Sequence, residues 1–430
     1  MSRPIWFTSL MLGWLSVTIN AQATTELASL QKGSDQLAVQ GHRLSDQITT
    51  IDEAIRLYRR LQFNSWPRLQ KRGLTRVGDR HAEVIEIRRR LSVLGDHASL
   101  PSYSAEDPLY DRQLEYAVKR FQHRHGLKVD GIIGPNTRRA LNVSPDYRLS
   151  QLRVNRLRQQ TFYQSDPGRY LQVNIPAYNL RYFQQGRLMV EMKAIVGRPK
   201  RQTPMLESAV ETVVFNPDWN VPKGIAYKDI VPELRKDQNA LARKGLHLVQ
   251  GFGPKPRKLS LEQLDWERLY LGPGPDQQRF WQAPGDENPL GSLKFTFRNR
   301  FTVYMHGTPQ MELFDEPIRA FSSGCIRIEH PRRLVDLFLA GASQWPDSKV
   351  DKLLASPRTR HFRLPQPVPL FLTYWTAWVE HGTVHFRHDI YRRDRQAVSK
   401  LPPRMPEQEV CQVSQRCRVD TDRQIDPAPG

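Results

Sequence analysis

One cysteine and one histidine in this sequence have the residue types that nucleophilic chemistry requires. Cys325 ends the turn Ser322-Ser323-Gly324-Cys325, and His306 follows the short apolar run at 301–305. A thiol is mostly protonated at neutral pH, so it needs a base such as an imidazole beside it to become a good nucleophile. Because a histidine that ends one strand can meet a cysteine on a later turn of the same sheet, we predict a Cys325 nucleophile with His306 as its base. The alternative is a buried free cysteine and an unrelated histidine.

The glycine before Cys325 adds a second part of this chemistry. Gly324 permits a tight turn and exposes the backbone N–H groups around it. Such donors stabilise the oxyanion that forms when a nucleophile attacks a carbonyl group. No nearby Asp or Asn is placed to orient His306, so a backbone carbonyl is expected to hold the imidazole. The pattern predicts acyl transfer through a covalent thioester, with no cofactor.

Composition and charge indicate the setting of this chemistry. The chain has 430 residues, enough for two or three domains, and a formal net charge of +20 from 64 Lys and Arg against 44 Asp and Glu. The basic residues are spread along the chain, which favours attraction to an anionic cell envelope over nucleic-acid binding. After the first residues, no apolar run reaches the ~18 residues of a membrane-spanning helix.

The N-terminus predicts export. Arg3 precedes an apolar stretch from Ile5 to Leu15, and Ala21-Gln22-Ala23 fits a signal-peptidase site. We therefore expect residues 1–23 to be a signal peptide and the mature protein to be periplasmic; the alternative is an uncleaved anchor or an apolar N-terminal helix.

Export also bears on the three cysteines. An exported compartment permits disulfides, so Cys411 and Cys417 either pair or are incidental. An odd thiol remains, and its place in the Ser-Ser-Gly-Cys turn makes Cys325 the candidate for catalysis.

Periodicity divides the chain into a helical and a strand-rich part. A helix is expected within the region 24–78, and a compact helical module at 79–145 with helices near 84–94, 111–125 and 135–141. Residues 146–167 are expected to be a linker. The β-rich domain is expected at 168–395, with an inserted helical and loop cap near 223–290 and a polar tail at 396–430. Its predicted strands are 170–175, 178–183, 187–196, 209–215, 292–297, 301–305, 368–379 and 383–387, with a helix at 331–340.

The region around Cys325 resembles the catalytic domain of the L,D-transpeptidases, the YkuD type. That signature is a His some fifteen residues before Ser/Thr-His/Ser-Gly-Cys-hydrophobic-Arg/Asn, matched here by His306 and by the run from Ser322 to Arg327. Further runs resemble the large, YcbB-like branch with an inserted capping subdomain: Trp219-Asn220-Val221-Pro222, Asn288-Pro289-Leu290-Gly291, Lys294-Phe295 and Tyr374-Trp375-Thr376-Ala377-Trp378.

The helical module resembles the three-helix peptidoglycan-binding module. The matching runs are Ala117-Val118-Lys119-Arg120-Phe121-Gln122, His125-Gly126-Leu127, and Asp130-Gly131-Ile132-Ile133-Gly134-Pro135-Asn136-Thr137. The alternative is an unrelated small helical domain with a glycine turn. Two cell-wall resemblances behind one predicted signal peptide support each other.

The resemblance implies specific roles. Cys325 would attack the amide between diaminopimelate and the D-Ala at position four of a peptidoglycan stem, and His306 would take the thiol proton. The Gly307 carbonyl would hold the imidazole, and N–H groups of Gly324 and Cys325 would form the oxyanion hole. Candidates for positioning substrate are Tyr304, Ser322, Ser323, Arg327 and Trp219, although the side chain of Ser323 stands where the family often has His. Core packing remains the alternative for Tyr304 and Trp219, and an ion pair for Arg327.

Several alternatives stay open at this level. The same residues would serve an L,D-carboxypeptidase, a hydrolase or attachment enzyme of wall proteins, or a non-catalytic wall-binding protein. Expected partners are peptidoglycan stem peptides and glycan, cell-wall synthases, and carbapenems as inhibitors. His381, His385 and His388 are close in sequence but do not share one face of a strand, so a hairpin is favoured over a metal site.

Overall fold

The protein has the expected α+β architecture, with a helical N-terminal part and a strand-rich C-terminal part. The structure, a computed structural model, describes residues 50–70, 73–97, 106–163, 168–251, 256–272, 274–339 and 345–398. The predicted signal peptide and the possible Cys411–Cys417 pair lie outside these residues. No helix among them is long and apolar enough to cross a membrane.

The helices follow the apolar periodicity of the sequence, and capping side chains mark where they begin. Thr50 and Glu53 form a reciprocal capping box on the first helix, and Asp111 accepts a hydrogen bond from the Leu114 N–H on the third. The helices are α1 (Ile51–Leu61), α2 (Ala82–Val93), α3 (Arg112–Arg124), α4 (Pro135–Leu141), α5 (Pro145–Tyr163), α6 (Lys223–Ile225), α7 (Val231–Leu234), α8 (Ala240–Arg243), α9 (Pro331–Leu339), α10 (Asp347–Leu354) and α11 (Arg393–Val398).

Helices α2, α3 and α4 enclose a core of their own, as expected for the helical module. Val84, Ile87, Leu114 and Phe121 are among its fully buried side chains. The glycine loop before α4 is fastened by Gln122, whose side chain bonds residues 130, 131, 132 and 137. The buried Gln122 amide therefore supplies hydrogen bonds to polar groups of this loop that no regular secondary structure provides.

The expectation of a linker at 146–167 needs correction. Most of that segment is helix α5, which packs against α1 and against a two-stranded hairpin of the C-terminal part. The Gln151 and Asn155 side chains donate to the carbonyl oxygen of Thr376 and to its hydroxyl, at 3.1 and 2.7 Å. Because these buried amides pair with backbone from another region, α5 belongs to the core of the molecule rather than to a free connection.

The strand-rich part is built on one large sheet that closes on itself. Its strand order is β11-β3-β12-β10-β9-β4-β13-β1-β2, and an additional β2–β3 pairing completes the closure. The enclosed apolar side chains form the largest core of the protein. The strands of this sheet are β1 (Arg169–Asn174), β2 (Asn179–Gln184), β3 (Arg187–Gly197), β4 (Leu206–Phe215), β9 (Leu293–Phe297), β10 (Met305–His306), β11 (Ala320–Ser322), β12 (Ile326–Ile328) and β13 (Arg360–Thr373).

Two predicted strands differ in extent. The strand expected at 301–305 is only Met305–His306, because Thr302 adopts a left-handed φ of 56° in the turn before it. The strand expected at 368–379 is two strands, since the backbone leaves the sheet after Thr373 and pairs again in the hairpin of β14 (Ala377–Glu380) and β15 (Thr383–Phe386). His381 and Gly382 form the turn that connects them, with φ values of 46° and 72°.

The inserted cap contains a sheet that the sequence did not predict. Four strands, in the order β5-β8-β6-β7, join the short helices α6–α8 around a separate apolar core. The cap is therefore a small α+β unit rather than helices and loops alone. Its strands are β5 (Trp219–Asn220), β6 (His247–Gln250), β7 (Arg257–Leu259) and β8 (Gln278–Gln282).

Candidate active site

The register of three adjacent strands places the predicted nucleophile and base on one face of the sheet. Strand β10 runs parallel to β12 and antiparallel to β9, so His306 lies opposite both Arg327 and Lys294. Side chains two residues apart along a strand share a face, which adds Tyr304 beside His306 and Cys325 beside Arg327. Met305 pairs with Ile326 in the parallel strands, so the residues before them, Tyr304 and Cys325, also lie opposite each other. His306 is then the diagonal neighbour of Cys325.

The residues that alternate with the site residues along these strands point to the opposite face of the sheet and fix the strand register. Met305, Phe295 and Ile326 are fully buried in the main core. A shift of register by one residue would put these apolar side chains on the site face, so burial fixes the register.

His306 is buried and held by its own neighbour. Its Nδ1–H donates to the Gly307 carbonyl oxygen at 2.6 Å, which leaves Nε2 to accept a proton. Burial and the nearby Arg327 guanidinium lower the pKa of His306 to about 3, although hydrogen bonds to the backbone of Gly307 and Leu290 raise it in part. The imidazole is therefore neutral at physiological pH.

The Cys325 thiol is half-buried and lies against the main core. Burial raises its pKa, while hydrogen bonds from the Tyr304 backbone and hydroxyl and the charges of Lys294 and Arg327 lower it. Burial prevails, so the resting thiol is protonated beside a neutral imidazole. Such a pair can react when the base takes the proton as the sulfur attacks.

The turn before Cys325 is fastened on both sides. Gly324 has a φ of 118°, a conformation that favours glycine. The Gly324 N–H donates to the Ser322 hydroxyl at 3.1 Å, and that hydroxyl donates to the Cys325 carbonyl at 2.6 Å. The buried Thr203 hydroxyl donates to the Gly324 carbonyl at 2.8 Å and accepts from the Gly197 N–H at 2.9 Å. Of the two predicted oxyanion donors, the Gly324 N–H is thus already engaged with Ser322.

The Ser323 hydroxyl belongs to an ionic cluster that reaches the cap. It accepts hydrogen bonds from Arg198 and Arg201 at 3.1 and 2.9 Å. Arg201 makes a bidentate pair with Asp229 of the cap, one bond of which measures 2.6 Å, and Arg198 lies 3.9 Å from the same carboxylate. We call Arg198, Arg201, Asp229 and Ser323 the cap clasp.

Trp219 makes a second connection between the cap and the site. Its ring packs against the cap core, and its side chain hydrogen-bonds Tyr304, which in turn hydrogen-bonds Cys325. The core-packing alternative for Trp219 is thus compatible with its position at the site. Arg327 is half-buried and donates to the Gln310 side chain at 2.8 Å, so it is hydrogen-bonded without an ion pair to a described residue.

All of the predicted site residues lie around this face or its turn, but sequence reasoning missed several neighbours. In the sequence, Lys294 belongs only to a run that resembles the family. Thr203, Arg201 and Asp229 are not among the predicted site residues. A lysine inside the apolar strand Leu293–Phe297 is a signal that could have been used, because lysines are mostly exposed and this one is half-buried. The other three are distant in sequence and carried no such signal.

Comparison with known proteins adds family information. Residues 168–350 match the model of the YkuD family, described as the L,D-transpeptidase catalytic domain. Residues 80–141 match a family described as "Putative peptidoglycan binding domain".

Two curated relatives cover parts of the chain. A Haemophilus influenzae protein named "Putative L,D-transpeptidase" is 35% identical over 226 residues, which is 52% of this chain and 44% of the relative. The N-acetylmuramoyl-L-alanine amidase CwlM of Mycobacterium tuberculosis is 43% identical over 88 residues, 19% of this chain and 21% of its own. The matches therefore span less than half of the length of either relative.

Among solved structures, the L,D-transpeptidase from Xylanimonas cellulosilytica aligns with 15% identity over 72% of this chain and all of its own, at a TM-score of 0.22. A score at that level does not establish a shared fold. By sequence, the chain combines a region that matches the L,D-transpeptidase catalytic domain with a preceding region that matches a peptidoglycan-binding domain.

Proposed function

We propose that this protein is an L,D-transpeptidase that crosslinks peptidoglycan through a thioester on Cys325. The observation that carries the proposal is the shared sheet face of Cys325 and a buried, neutral His306 whose Nδ1 is tied to the Gly307 carbonyl. The family match of residues 168–350 supplies the reaction class.

In the first half-reaction, Cys325 attacks the carbonyl carbon of diaminopimelate in a tetrapeptide stem. The thiol proton passes to Nε2 of His306 as the S–C bond forms. The imidazolium then gives that proton to the nitrogen of the terminal D-Ala as the C–N bond breaks. D-Ala leaves as a free amino acid, and the stem remains as a thioester.

In the second half-reaction, an amine of an acceptor diaminopimelate attacks the thioester. His306 takes a proton from the amine, the C–S bond breaks, and the proton returns to the Cys325 sulfur. The new amide joins two diaminopimelate residues. Because His306 is neutral at physiological pH, its Nε2 is free to accept a proton in both half-reactions.

The oxyanion that forms in each step needs backbone donors. The Cys325 N–H is the candidate favoured by the geometry, because the Gly324 N–H would have to exchange its bond to Ser322 for the oxyanion. In this proposal Tyr304 and Trp219 line the donor site. Ser322 and Ser323 hold the turn, and Arg327 contacts an anionic group of the stem.

The cap is proposed to keep water from the thioester, as the large YcbB-like branch would require. Trp219 and the cap clasp join it to the nucleophile turn from two directions. Exclusion of water favours transfer to an amine over hydrolysis. The residues themselves do not separate a transpeptidase from an L,D-carboxypeptidase, since both would use Cys325 and His306.

The helical module and the N-terminal sequence suggest where the protein acts. Residues 80–141 would bind peptidoglycan, and the predicted signal peptide would export the protein to the periplasm. Cell-wall synthases are candidate partners there. Carbapenems resemble the donor end of the substrate and are expected to acylate Cys325, which intact-protein mass spectrometry would register as an added mass.

The test is mass spectrometry of muropeptides after incubation of the purified protein with sacculi rich in tetrapeptide stems. Cys325→Ala is the matched control, because it removes only the sulfur. Crosslinks between two diaminopimelate residues that depend on Cys325 are expected. Shortened stems without crosslinks would indicate a carboxypeptidase instead, and no change in either sample would leave only wall binding.

A further inference from the structure

Lys294 is a half-buried cation in the site that the mechanism above does not use. It lies opposite His306 across β9 and β10, and its Nζ is 4.0 Å from the centroid of the Tyr304 ring. Tyr304 hydrogen-bonds the Cys325 sulfur, and Lys294 and Cys325 interact through their charges. The ammonium group is therefore within reach of whatever Cys325 attacks.

This ammonium has no carboxylate partner in the described part of the chain. Asp218 interacts with it only at longer range and accepts hydrogen bonds from Trp281 and Asn220. Burial lowers the pKa of Lys294. A half-buried cation without a counter-charge is stabilised when a ligand supplies an anion beside it, so the site is suited to an anionic group.

The anion has a natural source in the proposed substrate. A tetrapeptide stem ends in a free carboxylate that lies within one residue of the scissile carbonyl. When the Cys325 sulfur is in contact with that carbonyl, a cation beside the sulfur can reach the carboxylate. A stem that continues to a fifth residue has a neutral amide at this position and would leave the ammonium unpaired.

We infer that Lys294 binds the free carboxylate of the terminal D-Ala and thereby selects donor stems that end at that residue. This inference rests on the proposed function. The same contact serves the second half-reaction, because the acceptor amine of diaminopimelate also lies on a D-configured carbon that bears a carboxylate. The leaving and entering amines thus present the same anion to the same ammonium.

Arg327 is the rival for this role. It is also a half-buried cation on the same face, but its guanidinium already donates to Gln310. Arg198 and Arg201 are paired with Asp229 in the cap clasp. Lys294 is thus the cation on this face with neither an ion pair nor a side-chain hydrogen bond to another described residue.

The first experiment compares two donor peptides, one a tetrapeptide ending in a free acid and the other its C-terminal amide. The wild-type protein is expected to use the acid with a kcat/KM at least about tenfold higher. Lys294→Gln should lose most of that preference, while Lys294→Arg, which keeps the charge, should retain part of it. An unchanged preference in Lys294→Gln, or its loss only in Arg327→Gln, would overturn the inference.

A second experiment does not depend on the proposed function. Cys325 is alkylated with iodoacetate, an anion, and with iodoacetamide, its neutral analogue, at one pH, so that the ratio of the two rates cancels the thiolate fraction. Lys294→Gln should lower the iodoacetate-to-iodoacetamide ratio several-fold relative to the wild type, and Lys294→Arg should lower it less. If neither peptide is turned over by the wild type, the proposed function fails, whereas an equal ratio in Lys294→Gln and wild type would refute anion binding by Lys294.

Discussion

At the residue scale, the main property of the site is that His306 and Cys325 are both neutral at rest. Burial raises the pKa of Cys325 and lowers that of His306, so a resting thiolate–imidazolium pair is disfavoured. The positive charges of Arg327 and Lys294 also lower the pKa of His306, because they disfavour a further positive charge on the imidazole. His306 therefore stays neutral at physiological pH, and in the proposed mechanism Cys325 ionises only as His306 takes its proton.

This charge pattern predicts the pH dependence of Cys325 reactivity. The thiol is protonated below its raised pKa, so alkylation by iodoacetamide should rise with pH and level off above the usual thiol range near 8.5. His306, with a pKa of about 3, should add no inflection near 6.5. Rates measured from roughly pH 5 to 10 would check this; a plateau of high reactivity already at pH 6 would instead indicate a preformed ion pair.

Tyr304 should tune the same thiol. Its hydroxyl hydrogen-bonds Cys325 and favours the thiolate, so Tyr304→Phe should raise the thiol pKa and slow alkylation at neutral pH by about threefold to tenfold. Tyr110→Phe is the matched control, because it also removes a buried tyrosine hydroxyl, one bonded to the Gly131 carbonyl in the helical module. Equal rates in Tyr304→Phe and wild type would exclude a role for the hydroxyl in ionising Cys325.

At the element scale, local signals in the sequence predicted local structure. Apolar periodicity predicted α1 to α4, and the alternation of apolar residues predicted most strands of the large sheet. Strand pairing depends on partners far apart in sequence, so neither the closed strand order nor the cap sheet could be derived. Helix α5 was missed because its polar side chains pair with a distant hairpin rather than with solvent.

The same distinction applies to the site. The pair Cys325 and His306 could be proposed from residue types and a turn, whereas Lys294 acquires its place only through the pairing of β9 with β10. The cap clasp also depends on the fold, because Arg201 hydrogen-bonds both Ser323 and Asp229, which are distant from it and from each other in sequence. The sequence thus allowed a reacting pair to be proposed but did not predict the charges that surround it.

The loop that supports the nucleophile turn should be sensitive to a single hydroxyl. Thr203→Val keeps the shape of the side chain but leaves the Gly324 carbonyl and the Gly197 N–H without their partner. A loss of about 1–3 kcal/mol in the free energy of unfolding is expected, together with a lower kcat. Urea unfolding and a turnover assay would measure both.

Thr203→Ser is the matched control, because it retains the hydroxyl and should stay closer to wild type in both measurements. If Thr203→Ser lost stability while Thr203→Val stayed at the wild-type level, the packing of the methyl group rather than the two hydrogen bonds would be responsible.

The cap clasp predicts a different outcome for Asp229→Asn. This change removes the charge that holds Arg201 and should loosen the cap without altering the thiol directly. If the cap excludes water, hydrolysis of the thioester should increase relative to transfer, with little change in the rate of Cys325 acylation. The ratio of shortened to crosslinked muropeptides would report it, and an unchanged ratio would show that Asp229 does not control water access.

At the scale of the whole molecule, the helical module is fixed to the strand-rich part by polar contacts across a buried interface. Arg124 of α3 donates to the Val384 carbonyl at 3.3 Å, and Arg387 donates back to the Arg124 carbonyl at 3.0 Å. His125 stacks on Phe386 with ring centroids 5.5 Å apart. The module therefore has a defined orientation relative to the site, which suits the proposed function, in which binding and reaction take place on one polymer.

That orientation should depend on Asp96, the carboxylate that neutralises Arg124. The two form a buried bidentate pair, with bonds of 2.7 and 2.5 Å. Asp96→Asn leaves a buried guanidinium without its counter-charge and should reduce the free energy of unfolding by about 3–5 kcal/mol. Limited proteolysis should then cleave between the module and the strand-rich part before the latter unfolds.

The double variant Asp96→Leu/Arg124→Met tests the cause of that loss. It removes both charges, so no unpaired ion remains, and the desolvation cost of the pair disappears with its attraction. Urea unfolding should place it within about 2 kcal/mol of wild type despite the lost bond to Val384. A double variant as unstable as Asp96→Asn would mean that the pair itself, and not the stranded charge, holds the module against the hairpin.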